Sequence, residues 1–163
     1  MMMSLVKHHQ NAYVTRDLDK AIDAFTKLHG VTGFSTLEAD FPLKTPQGEK
    51  LARMRVGMAW VDDLQIELIQ PVSGHTGVYD AYLPADEADA TPRFHHVAVW
   101  RDDLSAMRAE IARLGLPVVF EGEGAGIHYA LLDARRSLGH YLEYVWATAA
   151  GWEVLGRPGR GGA

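Results

Sequence analysis

Gln10–Leu18 reads QNAYVTRDL, and His96–Leu104 reads HVAVWRDDL. Aligned without gaps, Gln10 falls over His96, Ala12 over Ala98, Asp17 over Asp103 and Leu18 over Leu104. Each stretch is a short β-type run ending at an aspartate, a residue that can accept from the free N–H groups of a helix's first turn. A repeat of cap and spacing at this distance points to one supersecondary unit used twice.

The segments that follow agree in phase. Leu18, Ala21, Phe25 and Leu28 recur at helical spacing, as do Leu104, Met107, Ile111 and Leu114. Gly30 and Gly115 stand where each helix is expected to end, because glycine adopts the left-handed conformation of a C-cap without steric cost. Three strand candidates follow each helix: about 32–38, 51–61 and 63–70 in the first half, and about 116–121, 127–133 and 140–147 in the second. Asp62-Asp63 reads as a hairpin turn. Phe41–Lys50, with two prolines and a glycine, reads as a loop. In the segment joining the halves, Val78, Tyr79, Tyr82 and Leu83 suggest a short helical turn.

The expected fold class is therefore α+β, with two tandem βαβββ modules forming a joint curved mixed sheet around a cleft. The expected organisation is one domain: module one over about 6–71, a linker over 72–92, module two over about 93–148, and a disordered Gly/Arg/Pro tail over 156–163.

Bulk composition fits this picture. The chain has 163 residues, 47% hydrophobic and 23% charged, close to an average soluble protein. A formal charge of −5, with no run of Lys or Arg, argues against nucleic acid or an anionic membrane as partner. There is no cysteine, so disulfides, thiolate metal sites and cysteine nucleophiles are excluded. Met1–Gln10 lacks the apolar stretch of a signal peptide, and the expected location is the cytoplasm.

Four polar residues interrupt apolar β-type runs at matching places. Gln10 and His96 open the first strands of their halves; Glu67, in LQIELIQP, and Glu143, in HYLEYVW, lie in the last. Strand alternation puts Ile66 and Leu68 on one face and Glu67 on the other, and treats Leu142, Glu143 and Tyr144 in the same way. Singly, Glu67 reads equally well as an exposed edge residue, and His96 as an ordinary core or surface histidine. As two symmetry-related pairs the four read better as a metal site, because a carboxylate facing a sheet-lined cavity is costly unless paired or metal-bound.

The pattern H/Q-x-x-x-x-V/T-x-D-L, an amphipathic helix and then an I/V-E-L strand resembles the glyoxalase/bleomycin-resistance/dioxygenase (vicinal oxygen chelate) superfamily over about residues 6–148. The resemblance implies one metal ligand from the first strand and one from the last strand of each module, here Gln10, Glu67, His96 and Glu143. It implies a divalent ion (Zn, Ni, Co, Mn or Fe), a small-molecule substrate and a homodimer. An extradiol dioxygenase of the family would need a second histidine where this chain has Gln10, so ring cleavage is disfavoured. The set Gln, Glu, His, Glu is similar to that of zinc-type lactoylglutathione lyases and of methylmalonyl-CoA epimerase-like members. The stretches NAYVT and LIQP offer no arginine of the kind that glutathione-binding lyases carry, and IELIQPVSG, VYDAYL and FHHVAVW are more similar to the epimerase-like and other glyoxalase-like members.

The implied chemistry is that of a lyase or isomerase: proton transfer next to a carbonyl through a metal-stabilised enolate, with Glu143 or Glu67 as base. The alternative on the same fold is a metal-free, resistance-type protein that sequesters a hydrophobic small molecule. Trp100, Tyr141, Gln65 and Ile69 share faces with the four ligands and are the expected cleft walls. His8 is expected at the surface, and His9 and His95 on the face opposite their ligand neighbours. His75 and Tyr79 are candidates for a lid, and Arg135-Arg136 for a solvated pair that would meet a phosphate or CoA tail.

Overall fold

The structure is a computed structural model that describes residues Leu5–Arg157. Elements run β1 (His8–Val14), α1 (Leu18–His29), β2 (Ser35–Thr45), β3 (Gly48–Val61), β4 (Leu64–Gly74), α2 (Gly77–Asp80), β5 (Arg93–Trp100), α3 (Leu104–Leu114), β6 (Val118–Gly124), β7 (Ile127–Leu132), α4 (Arg135–Leu138), β8 (Tyr141–Ala147) and α5 (Ala149–Val154). The fold is mixed α+β, and its eight strands close into one barrel in the order β1-β4-β3-β2-β6-β7-β8-β5. Pairs β1–β4 and β5–β8 are parallel; the other pairs are antiparallel.

Both main helices start and stop as their sequences dictate. Asp17 and Asp103 accept from the backbone N–H of Lys20 and Ala106, and Gly30 and Gly115 end the helices at φ of 68° and 64°. On α1, Leu18 and Ala21 pack on Ala59, Ile66 and Leu68 of β3 and β4. On α3, Met107 and Ile111 pack on Val99, Leu132, Leu142 and Tyr144. Burial of a leucine such as Leu18 or Leu68 contributes about 1.5–3 kcal/mol. Leu28, expected on the apolar face, is 76% exposed, and the buried contacts of α1 are made by Leu18 and Ala21 in its first turn.

The segment 41–50 is not a loop. Residues 35–45 and 48–61 form a long hairpin around Pro46-Gln47, fastened by Thr45 Oγ1 donating to the Gly48 carbonyl (2.7 Å). Pro42 is tolerated because β2 pairs β6 at the single position Lys44↔Glu121, leaving the proline on an otherwise open edge. That one pair closes the barrel. The Asp62-Asp63 turn is as expected, with Asp62 at φ 54°.

Registers around the centre recur in the two halves. Gln10 pairs Ala98 and Ala12 pairs His96, so β1 and β5 exchange places about Asn11↔Val97. Ala12 pairs Glu67 across β1–β4, and Ala98 pairs Glu143 across β5–β8. The β1–β5 ladder is interrupted twice, once at His9 and once at His95, the same position in each strand of the repeat.

Candidate functional site

β4 and β8 flank the central β1–β5 pair, and each turns one carboxylate inward. Ile66 and Leu68 face α1, and Leu142 and Tyr144 face α3, so alternation directs Glu67 and Glu143 into the barrel. There they meet His96: its Nε2 lies 3.6 Å from Glu67 Oε2 and 3.7 Å from Glu143 Oε2. Gln10, His96 and both carboxylates line one cavity of about 340 Å³. Its other walls are mainly apolar, with Phe41, Met54, Val56, Met58 and Ile69 from the first half and Ile127, Tyr129 and Val145 from the second. No Lys or Arg is among the described residues lining it.

The electrostatics of this cavity follow from burial. The side chains of Glu67 and Glu143 are 16% and 12% exposed. Burial raises the proton affinity of both, and the charge of Glu67 raises that of Glu143 further. Burial holds His96 neutral, well below the usual histidine range, and the like charges of neighbouring His95, His140 and His9 act in the same direction.

Among the described residues that line the cavity, three buried side-chain atoms have no hydrogen-bond partner: His96 Nε2, Gln10 Oε1 and His9 Nδ1. An orphaned buried polar atom costs about 1–3 kcal/mol, and in native proteins it usually marks an ion, water or ligand. Among the described residues no three His, Asp or Glu side chains are drawn into a closed metal cluster. Yet donor atoms bound about 2.1 Å from one tetrahedral ion stand roughly 3.4 Å apart, close to the spacings of His96 from its two carboxylates. Two bare lone pairs and two buried carboxylates are a donor set that fits a divalent cation.

The remaining expected site residues divide. Gln65 and Ile69 line the cavity. Tyr141 does not: it stacks on His95, centroids 4.8 Å apart, in the core beyond the cavity's end. Trp100 does not either; Lys7 lies over its ring at 4.2 Å and Trp152 meets it edge-on at 5.9 Å. Tyr79 is buried and lines the cavity, His75 is exposed, and Arg135 pairs with Asp133 at 2.7 Å beside Tyr141.

His9 and His95 depart from the expected alternation. The ladder interruptions act as β-bulges and re-aim both rings inward, where His9 is 1% and His95 0% exposed. His9 lines the cavity between Trp60 and Trp152; burial, then the charges of Arg157 and His8, push it down to about 3. His95 sits among Tyr79, Tyr82 and Tyr141 and is lowered to about 4, first by burial and then by Arg135. His8 is exposed, as expected.

Sequence reading also missed α5. Thr148 caps it by accepting from the Gly151 N–H, and its end is fastened over the cavity, with the Leu155 carbonyl accepting from Trp60 Nε1 (2.8 Å) and Gln65 Nε2 (3.0 Å). Of the tail expected to be disordered, Gly156 and Arg157 are placed, with Arg157 beside the rings of Trp100 and Trp152; the rest, 158–163, lies outside the described residues.

The model of the Glyoxalase/Bleomycin resistance protein/Dioxygenase superfamily matches residues 9–131. The chain belongs to this superfamily. Solved structures similar to this superfamily member include a methylmalonyl-CoA epimerase in complex with methylmalonyl-CoA and NH4+, at 18% identity and TM-score 0.66, with 89% of this chain and 96% of that chain covered. A methylmalonyl-CoA epimerase from Mycobacterium tuberculosis matches at 20% identity and TM-score 0.63, covering 91% and 93%. A hypothetical protein from Bacillus halodurans C-125 matches at 14% identity and TM-score 0.57, covering 85% and 92%. At these identities the likeness is one of fold. No curated protein matches the chain.

Proposed function

We propose that this chain is a divalent-metal-dependent isomerase or lyase of the epimerase type, built from two copies of a βαβββ unit, that moves a proton next to a substrate carbonyl. The observation that carries the reading is the pair of buried carboxylates flanking a bare imidazole nitrogen in a mainly apolar cavity. Gln10 Oε1, His96 Nε2 and the carboxylates of Glu67 and Glu143 would hold the ion. When bound, it supplies Lewis acidity that polarises the carbonyl and stabilises the negative charge left by proton removal.

The protein's own residues then handle the proton. Glu143 is the proposed base. Off the ion, Glu143 is a carboxylate whose proton affinity burial raises, which suits a group that takes a proton from carbon and must give it back. Glu67, on the strand at the other side of the β1–β5 pair, would serve the opposite face of the substrate. The apolar walls and the α5 end restrict water around the carbanion-like intermediate.

The test is exchange of the hydrogen beside the carbonyl in D2O, followed by NMR, with two probes: a 2-methyl-branched dicarboxylic acyl thioester and the hemithioacetal of a 2-oxoaldehyde. The account expects metal-dependent exchange with one of them, falling by about 10²–10⁴-fold in Glu143→Gln. No exchange with either probe and any divalent ion, together with metal-independent binding of apolar molecules, would support the second reading. That reading, a sequestering protein, is favoured by the apolar walls of the cavity alone.

A further inference from the structure

Gln10 and His96 each end a hydrogen-bond relay that begins at a backbone carbonyl. In the first, Gln65 Nε2 donates to the Leu155 carbonyl (3.0 Å) and Gln10 Nε2 donates to Gln65 Oε1 (2.8 Å). In the second, His95 Nε2 lies 3.0 Å from the Val78 carbonyl, and its Nδ1 lies 2.8 Å from His96 Nδ1.

A carbonyl oxygen can only accept, and this fixes every group downstream. Gln65 must turn its NH2 to Leu155, so it offers oxygen to Gln10. Gln10 must answer with its own NH2, and its oxygen is left bare. His95 must carry its proton on Nε2, so in the neutral ring Nδ1 is an acceptor. His96 must then donate from Nδ1, and its Nε2 is left as a lone pair. Both atoms so determined, Gln10 Oε1 and His96 Nε2, are buried and have no hydrogen-bond partner; His9 Nδ1, outside both relays, is a third such atom, on a residue that lines the same cavity.

The opposite setting of the second relay would place a charged His95 among Tyr79, Tyr82 and Tyr141, with no exposure to water. It would also point an N–H from His96 at carboxylate oxygens 3.6 and 3.7 Å away, beyond hydrogen-bond reach.

We infer that Gln65 and His95 are positioning residues: anchored on the carbonyls of Leu155 and Val78, they determine which atom Gln10 and His96 present to the cavity. Metal-binding histidines generally donate their other ring N–H to an oriented acceptor. Here the acceptor is a second imidazole, brought within reach by the bulge at His95. The relays also connect both first-strand ligands to the segments that follow the last strand of each half, α2 and α5.

This inference rests on the metal reading for its purpose, but its test does not depend on metal. Long-range ¹H–¹⁵N spectra of the EDTA-treated protein report the tautomer of each ring. The expected spectrum has His96 protonated at Nδ1 and His95 at Nε2. In His95→Phe, which keeps a ring in the tyrosine cage, His96 loses this fixed tautomer and zinc affinity falls about 10–100-fold. His95→Gln, whose amide can donate to Val78 and accept from His96, recovers most of that loss. Gln65→Leu weakens zinc binding in the same sense. A wild-type His96 protonated at Nε2, or a His95→Phe protein that binds zinc as tightly as wild type, overturns the inference. The expected tautomers in a protein that takes up no zinc would uphold the relays and overturn the metal reading instead.

Discussion

Glu143 shows what a buried carboxylate costs. Its raised proton affinity means that the folded, metal-free protein binds more protons than the unfolded chain at pH values above the ordinary carboxylate value of 4.5. The contribution of Glu143 to stability therefore falls as pH rises through that interval, and Glu67 acts in the same sense. Thermal melts in EDTA should show a higher Tm near pH 7 than near pH 8.5, an interval above the range in which the buried His9, His95 and His96 act in the opposite sense. Glu143→Gln should remove part of this slope and make the metal-free protein more stable than wild type at pH 8, while proton exchange falls by about 10²–10⁴-fold. A variant less stable than wild type at pH 8 would contradict this. Strand alternation made Glu67 and Glu143 legible in the sequence, because their neighbours Ile66, Leu68, Leu142 and Tyr144 had to cover helices. His9 and His95 were not legible, because a bulge breaks the very alternation on which such a reading depends.

At the scale of elements, Glu110 fastens α3 to the sheet. Arg101 donates to both its oxygens (2.7 Å each), and the Tyr144 hydroxyl donates to Oε1 (2.8 Å). The Arg101 hydrogen bonds hold Glu110 below the usual carboxylate range. Its stabilising contribution is present above about 4.5 and is lost as pH falls, opposite in sign to the cavity carboxylates. Glu110→Gln should lower the denaturant midpoint at pH 7 and narrow the gap between wild type and variant at pH 3.5. Gly122, on β6, lies under the ring of Tyr129 on β7, where any Cβ would overlap that ring. Gly122→Ala should displace Tyr129 from the cavity wall and cost about 1–3 kcal/mol, read as a shift in urea midpoint. The helices were legible from Asp caps, apolar phase and Gly stops. The β2–β3 hairpin was not, because its strand residues include Pro42 and its turn Pro46; only the open edge of β2 makes the first acceptable. For α5, six residues against the cavity end carry no periodic signal long enough to read.

At the scale of the molecule, closure into a barrel brings the two inward faces together around one cavity, and no short-range pattern encodes this. The matched registers of β1–β4 and β5–β8 put Glu67 in one row with Ala12 and His96, and Glu143 in a neighbouring row with Ala98 and Gln10. The repeat let the sequence suggest the four; which neighbours wall the cavity depended on where it ends, and Trp100 and Tyr141 fall beyond that limit. A ligand that binds only the folded form stabilises it by about 2.7 kcal/mol at one hundred times its Kd. Zinc at that level should therefore raise Tm by roughly 5–10 °C for a chain of this size. It should also reverse the pH trend of the metal-free protein, because deprotonated carboxylates are what it binds.

The central claim is that Gln10, Glu67, His96 and Glu143 form one divalent-metal site. Calorimetric titration of EDTA-stripped protein with zinc, run in buffers of different ionisation enthalpy, tests it directly. The account predicts one equivalent bound with release of protons, and loss of that binding in His96→Ala with the fold retained by circular dichroism. Absence of stoichiometric binding, or a His96→Ala protein that binds zinc like wild type, would contradict it.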